Sequence, residues 1–379
     1  MSLFGNLSAK QFLRNHWQKK PLLIRQALPG LVSPLSAEEL AGLACEDEIE
    51  SRIITTTANT DCPWQLRNGP FDENDFTALG DKDWTLLVQD CQRYNDDVAK
   101  LLQHFNFIPN WRLDDIMISY ATKGGSVGPH IDQYDVFLIQ AQGERRWQID
   151  TTATSENNLH PNCELDILQN FTADEEWRLS PGDMLYLPPK LAHYGVAMND
   201  CMTISVGFRA PSHQEMATSY LETLIQSNDA QQRFTDPHRG IPENTAEIES
   251  QDIEQFTEFL KTQLNDSSVI ADIFGRLVTE PKHPDWFYVS ERSKTDILQE
   301  GIKLDPDARL SFIRERYYHN HLFANGESLE VAPPAATLIP RLCETGKLDA
   351  NDYQDIVSTD EFNQLVEFLI EHALIAHDD

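Results

Sequence analysis

Between about Asp115 and Arg209 the apolar residues fall in short runs rather than along a helical stripe. Ile116-Met-Ile-Ser-Tyr120, Val136-Phe-Leu-Ile139, Arg146-Trp-Gln-Ile149, Trp177-Arg-Leu179, Met184-Leu-Tyr-Leu187, Tyr194-Gly-Val-Ala197 and Met202-Thr-Ile-Ser-Val-Gly-Phe208 are rich in branched and aromatic side chains. Turn residues separate them: Gly124-Gly125, Gln142-Gly143, Ser180-Pro-Gly-Asp183 and Asn199-Asp200. Many short strands at this spacing predict a β-barrel or sandwich. The first hundred residues alternate short helical and extended segments. The stretch from Gln11 reads as a helix stopped near Pro21 and followed by a strand, because proline cannot continue a helix.

After Pro211 the period changes. Ile253, Phe256, Phe259, Leu260 and Leu264 fall on one stripe at helical spacing, which marks a core face or a dimer interface. From about Asp307 a helix, a hairpin across Asn325-Gly326 and helices near 335–344 and 360–373 give the element order of a winged helix. The whole predicts an α+β chain in three parts: residues 1–210 a barrel, 211–300 a helical region, and 301–379 a winged-helix-like domain. That count suits 379 residues at roughly 100–200 per domain.

Charge narrows the partners. The net charge of −31 repels nucleic acid and anionic lipid and attracts a basic protein. From Asn325 to Asp379 only Arg341 and Lys347 stand against a dozen carboxylates, so a DNA-binding wing is not expected. No apolar run approaches the ~18–20 residues of a membrane span. The N-terminal residues lack the basic and apolar segments of a secretory signal. The six cysteines are scattered with no CxxC pair, which argues against a zinc ribbon and a disulfide framework. The expected compartment is the cytoplasm.

The candidate chemistry lies in Gly128-Pro-His130-Ile-Asp132. Residues i and i+2 of a strand point to one face, so His130 and Asp132 can share a metal ion. His-x-Asp alone is a weak signal. The chain holds a second copy, His283-Pro-Asp285, in a Lys/Pro-rich connector without strand character, and a loose pair in His319-Asn-His321. Only the first copy is followed by a further histidine within the barrel pattern. The turn at Pro181-Gly-Asp183, the apolar run to Leu187 and the Pro188-Pro189 stop deliver His193 at the start of the next strand. Two histidines and one carboxylate form the face that leaves open positions on iron(II).

This ordered set, His130-x-Asp132, Pro181-Gly-Asp183, Tyr186-x-Pro188 and His193, resembles the cupin/JmjC iron(II)- and 2-oxoglutarate-dependent oxygenases. Trp17-Gln-Lys-Lys-Pro-Leu-Leu-Ile-Arg25, the run from Gly128 to Phe137, and Gly143-Glu-Arg-Arg-Trp147 are similar to the bacterial ribosomal oxygenase branch. The likeness is strong to about Arg209 and one of pattern beyond it. It implies a double-stranded β-helix barrel, a helical dimerisation region giving a homodimer, and a C-terminal winged helix. It implies iron(II), 2-oxoglutarate and O2, and hydroxylation of an arginine on large-subunit ribosomal protein sixteen.

The far carboxylate of 2-oxoglutarate needs a cation, and arginine suits it with a two-pronged contact. Arg145 and Arg146 are adjacent on one strand, so only one points inward; the resemblance implies Arg145, with Ser119 as a hydroxyl donor. Thr203 and Ser205 are weaker candidates. A substrate guanidinium would want a carboxylate and an aromatic wall, and Tyr134 and Asp135 directly follow the metal motif. The rival readings are a JmjC demethylase releasing formaldehyde, a zinc or manganese cupin without oxygenase activity, and a non-enzymatic adaptor acting through the winged helix.

Overall fold

A computed structural model describes residues 3–57, 60–152, 158–226, 231, 233–237, 239–241, 246, 248–264, 266–290, 292–314 and 320–376. The chain divides into two compact units, Met1–Ala210 and Pro211–Asp379.

The first unit is built on two antiparallel sheets. The predicted runs become β5 (Leu113–Ala121), β7 (Asp135–Gln142), β8 (Arg145–Asp150), β9 (Glu175–Leu179), β10 (Met184–Leu187), β11 (Ala192–Ala197) and β12 (Cys201–Phe208), with the two-residue β6 (His130–Ile131) between β5 and β7. The smaller sheet has the order β6-β11-β8-β9. The larger is extended by segments from the first hundred residues: β1 (Leu22–Ile24), β2 (Ser51–Thr56), β3 (Trp64–Asn68) and β4 (Trp84–Val88) give it the order β1-β10-β7-β12-β5-β4-β2-β3. The helix Ala9–Asn15 starts on a capping box between Ser8 and Gln11 and ends short of Pro21, as its sequence predicts.

The central strands of the larger sheet are buried on both faces and so lack polar alternation. On one face Ile116, Ile118, Phe137, Ile139, Met184, Tyr186, Ile204, Val206 and Phe208 pack with Phe12, Leu40 and Phe105 from the N-terminal segments. On the other, Val136, Leu138, Leu185 and Leu187 meet Trp147, Ile149 and Leu179 of the smaller sheet inside the barrel. This second face also carries the polar residues described below.

One expectation from the cysteines needs correction. Cys62 and Cys163, 101 residues apart, form a disulfide, while Cys45, Cys91, Cys201 and Cys343 are free thiols. Spacing excluded local motifs and could not see a pair joined by the fold.

In the second unit the helices His213–Gln226 and Ser250–Leu264 leave Leu221, Ile225, Ile253, Phe256, Phe259 and Leu260 exposed on the single chain. The predicted stripe is therefore not core of this unit. Beyond it, β13 (Leu310–Ile313), β14 (His321–Ala324) and β15 (Glu327–Glu330) form an antiparallel sheet whose hairpin turns at Asn325-Gly326. The helices Ile339–Thr345 and Asp360–Glu371 share a core with Leu322, Ala324 and Ile297. Among the described residues no helix is long and apolar enough to cross a membrane.

Candidate metal centre and cosubstrate cleft

Pairing of β6 with β11 sets His193 directly across from His130. Asp132 follows β6, and its backbone carbonyl accepts from Lys190 N–H at 2.7 Å. His130 Nε2 lies 3.7 Å from Asp132 Oδ1, and His193 Nε2 lies 3.5 Å from Asp132 Oδ2. The three ligand atoms fall within 4.8 Å of one another. These separations are too long for hydrogen bonds and suit three donors around one cation. Each ring uses Nδ1 on a backbone carbonyl two residues earlier, Gly128 O for His130 and Leu191 O for His193, both at 2.9 Å. With Nδ1–H donating there, both Nε2 lone pairs face the centre. Burial and the neighbouring His130 push His193 down to about 4, so it stays a neutral ligand at neutral pH.

Deeper in the barrel, Arg145 is 3% exposed and donates from Nη1 to Ser119 Oγ at 3.3 Å. Its Nε has no partner, and no described carboxylate bears on it; burial pushes its pKa down. A buried guanidinium without an acid is costly unless an anion joins it. Arg146 points the other way, 4.0 Å from Glu176. Strand alternation thus separates the pair as anticipated. The Arg145 guanidinium sits 5.2 Å over the Trp147 ring, and Trp147 lies 5.9 Å from the His193 ring. The indole packs against Gly195, where a Cβ would come within 2.7 Å of its six-membered ring. Cation, indole and histidine therefore line one path. Arg145 and His193 oppose residues four apart along β8 and β11, roughly 13 Å of strand at ~3.3 Å per residue. A long arginine side chain and a five-carbon diacid together span that distance. Thr203 and Ser205 are on the same interior face, with Thr203 paired to Ser119 and donating to Gln140 at 3.3 Å.

Of the two substrate candidates, Tyr134 borders this interior, packed against the buried cluster that includes Val136, Leu138 and Trp147. Burial, then Asp132 and Asp115, raise its pKa. Asp135 is a correction. Its side chain lies on the opposite face of β7, fully buried, and accepts from Tyr186 Oη at 2.6 Å, Gln18 Nε2 at 2.9 Å and Arg112 Nη2 at 3.1 Å. It is closed to a substrate. Asp135→Ala would leave Arg112 as an uncompensated, nearly buried charge. The expected loss is about 3 kcal/mol, or roughly 10 °C in melting temperature, with iron affinity unchanged. A melting temperature within 2 °C or so of wild type would contradict that assignment.

The carboxylate overlooked in the sequence is Asp115. It shares a face of β5 with Ser119, its Oδ1 lies 3.6 Å from where a Cβ at Gly207 would sit, and it bears electrostatically on Tyr134. Its signal was present in the two-residue period counted back from Ser119. Among the described residues His130, Asp132 and His193 are the one group of three that could hold a metal ion. His283 stacks on Trp286 at 3.7 Å, His321 on Phe323, and His319 lies outside the described residues.

Known proteins share the sequence and the fold. The JmjC domain family matches residues 100–216, and the ROXA-like winged helix matches 262–375. The ribosomal protein uL16 3-hydroxylase of Escherichia coli is 32% identical over 379 residues, covering 96% of each chain. The chain belongs to the JmjC ribosomal oxygenases. A probable ribosomal oxygenase of Haemophilus influenzae is also 32% identical, over 94% of this chain and 91% of its own. The structure of the Escherichia coli ribosomal oxygenase YcfD in complex with cobalt and 2-oxoglutarate superposes with a TM-score of 0.79 at 30% identity over 98% of both chains. As a ribosomal oxygenase of this fold, the chain is an iron(II)- and 2-oxoglutarate-dependent dioxygenase.

Proposed function

We propose that this ribosomal oxygenase hydroxylates an arginine of ribosomal protein uL16, with His130, Asp132 and His193 holding iron(II) and Arg145 with Ser119 holding 2-oxoglutarate. The observation that carries the cosubstrate assignment is the buried guanidinium of Arg145, which no described carboxylate neutralises, in the same barrel interior as the three converging donors. Bound iron and 2-oxoglutarate supply the oxidising power that puts one atom of O2 into an unactivated C–H bond.

The chain's own residues hold and orient. Arg145 and Ser119 fix the far carboxylate and so aim the keto-acid end toward the metal ligands. Trp147 and the apolar interior keep water from the path between them. Asp115 is placed to pair with the target guanidinium, and Tyr134 to wall its apolar stem. The net charge of −31 favours encounter with a basic ribosomal protein in the cytoplasm. The exposed apolar residues of His213–Gln226 and Ser250–Leu264 support a homodimer through the helical region.

The test incubates a uL16 arginine peptide with enzyme, iron(II) and 2-oxoglutarate and follows mass. A gain of about 16 Da localised to one arginine is expected. Asp115→Asn should cut kcat/KM for the peptide about 100-fold, mostly through KM, with cobalt affinity unchanged. Formaldehyde release from methylated peptide without that gain would favour the demethylase reading instead.

A further inference from the structure

The Cys62–Cys163 bond joins two segments that meet on the approach to His130. Cys62 stands two residues before Trp64, on the segment that opens β3, the edge strand of the larger sheet. Cys163 sits at the bend of a hairpin in the β8–β9 connection, held by His160 N–H to Ile167 O at 2.7 Å and Gln169 N–H to Asn158 O at 2.8 Å. Both arms close on Gly128-Pro129. The position a Cβ at Gly128 would take lies 2.6 Å from Ile167 Cδ1 and 3.1 Å from the Trp64 ring, and the backbone there has φ +86°. Leu168 N–H donates to Pro129 O at 2.8 Å. Trp64 also meets Tyr194, the neighbour of His193, edge-on at 6.3 Å. Gly128 O is in turn the acceptor that orients the His130 ring.

We propose that Cys62–Cys163 is a reducible clamp on the first metal ligand, opened by a dithiol reductant. Thiolate attack on one sulfur forms a mixed disulfide; the reductant's second thiolate then displaces the protein sulfur. Cys62 and Cys163 leave as two thiols, having gained two electrons and two protons, and the reductant becomes a cyclic disulfide. Both cysteines are half-buried, open enough for this exchange. Opening the bond leaves Ile167, Leu168 and Trp64 held by noncovalent contacts alone. Gly128-Pro129 then moves more freely and His130 is presented less firmly. Losing an outer support of a metal ligand lowers affinity about 10–100-fold. The effect on metal rests on the reading of His130 as a ligand; the effect on the backbone does not.

The experiment uses the full chain in three forms: oxidised, reduced with dithiothreitol and desalted without oxygen, and C62S/C163S. Alkylation under non-reducing denaturation should label four of the six cysteines in the oxidised form. Amide exchange of the 128–131 segment should rise about tenfold on reduction, and cobalt(II) affinity should fall about tenfold. The double serine variant should behave as the reduced form and ignore dithiothreitol. Six labelled cysteines, or equal exchange in the oxidised and reduced chains, overturns the clamp. Should neither form bind cobalt, the metal assignment fails, and the exchange comparison still decides the clamp.

Discussion

Asp132→Ala is expected to abolish metal-dependent turnover while leaving the fold intact. Asp132 is the only anion among the three donors, and its two oxygens face one histidine each. Without it two neutral imidazoles remain, and charge neutralisation of a divalent cation is lost. Outer partners of metal ligands already cost 10–100-fold in affinity, so losing the carboxylate itself should cost at least about 1,000-fold. The side chain is partly exposed, so no large cavity opens and the melting temperature of the metal-free protein should hold. Cobalt(II) titration against a chelator reads the first effect and thermal melting the second. Wild-type cobalt affinity in this variant would remove the three-residue site.

Arg145→Met separates a ligand-binding role from a packing role, because the two predict opposite stability changes. In the ligand-free protein Arg145 is buried, with Ser119 its one side-chain hydrogen-bond partner among the described residues and an Nε without one. An apolar replacement of similar length removes that burden, so the ligand-free variant should melt no lower than wild type. With 2-oxoglutarate and cobalt present, wild type should rise in melting temperature as ligand concentration passes its Kd, and the variant should not. The KM for 2-oxoglutarate should increase at least about 100-fold, the scale of ~3 kcal/mol for a charge-assisted contact. Arg145→Lys should recover only part of this, since lysine offers a point charge in place of a fork. A variant that melts well below wild type yet keeps its cosubstrate KM would show a structural residue.

The barrel strands and the metal triad were legible because their signals are local or ordered. The apolar runs between turn residues are each one strand, and His130, Asp132 and His193 are brought together by antiparallel pairing of short neighbours. Alternation required only that one of Arg145 and Arg146 face inward; the resemblance selected Arg145, and Arg146 lies by Glu176. Asp135 was misread for a definite reason. Val136 to Ala141 is apolar on both faces apart from Gln140, so β7 offers no contrast to tell interior from exterior. The face is revealed only by which neighbours pack there, Phe12 and Tyr186 on one side and Trp147 on the other. The Cys62–Cys163 pair was hidden by its separation in sequence, and β2 to β4 gave no hint that they continue the barrel's own sheet.

That two-sided burial of the larger sheet bears on how the oxygenase fold can be cut. The span recognisable as a JmjC domain, 100–216, carries every proposed ligand residue and yet owns only one wall of its hydrophobic environment. The outer face of its central strands is upholstered by Phe12, Leu40, Ile53 and Leu86, contributed from upstream. The unit of ancestry and the unit of folding differ here. A fragment trimmed to the recognisable boundaries would present a broad greasy surface to water and to its copies, and the catalytic barrel travels only with its N-terminal hundred residues.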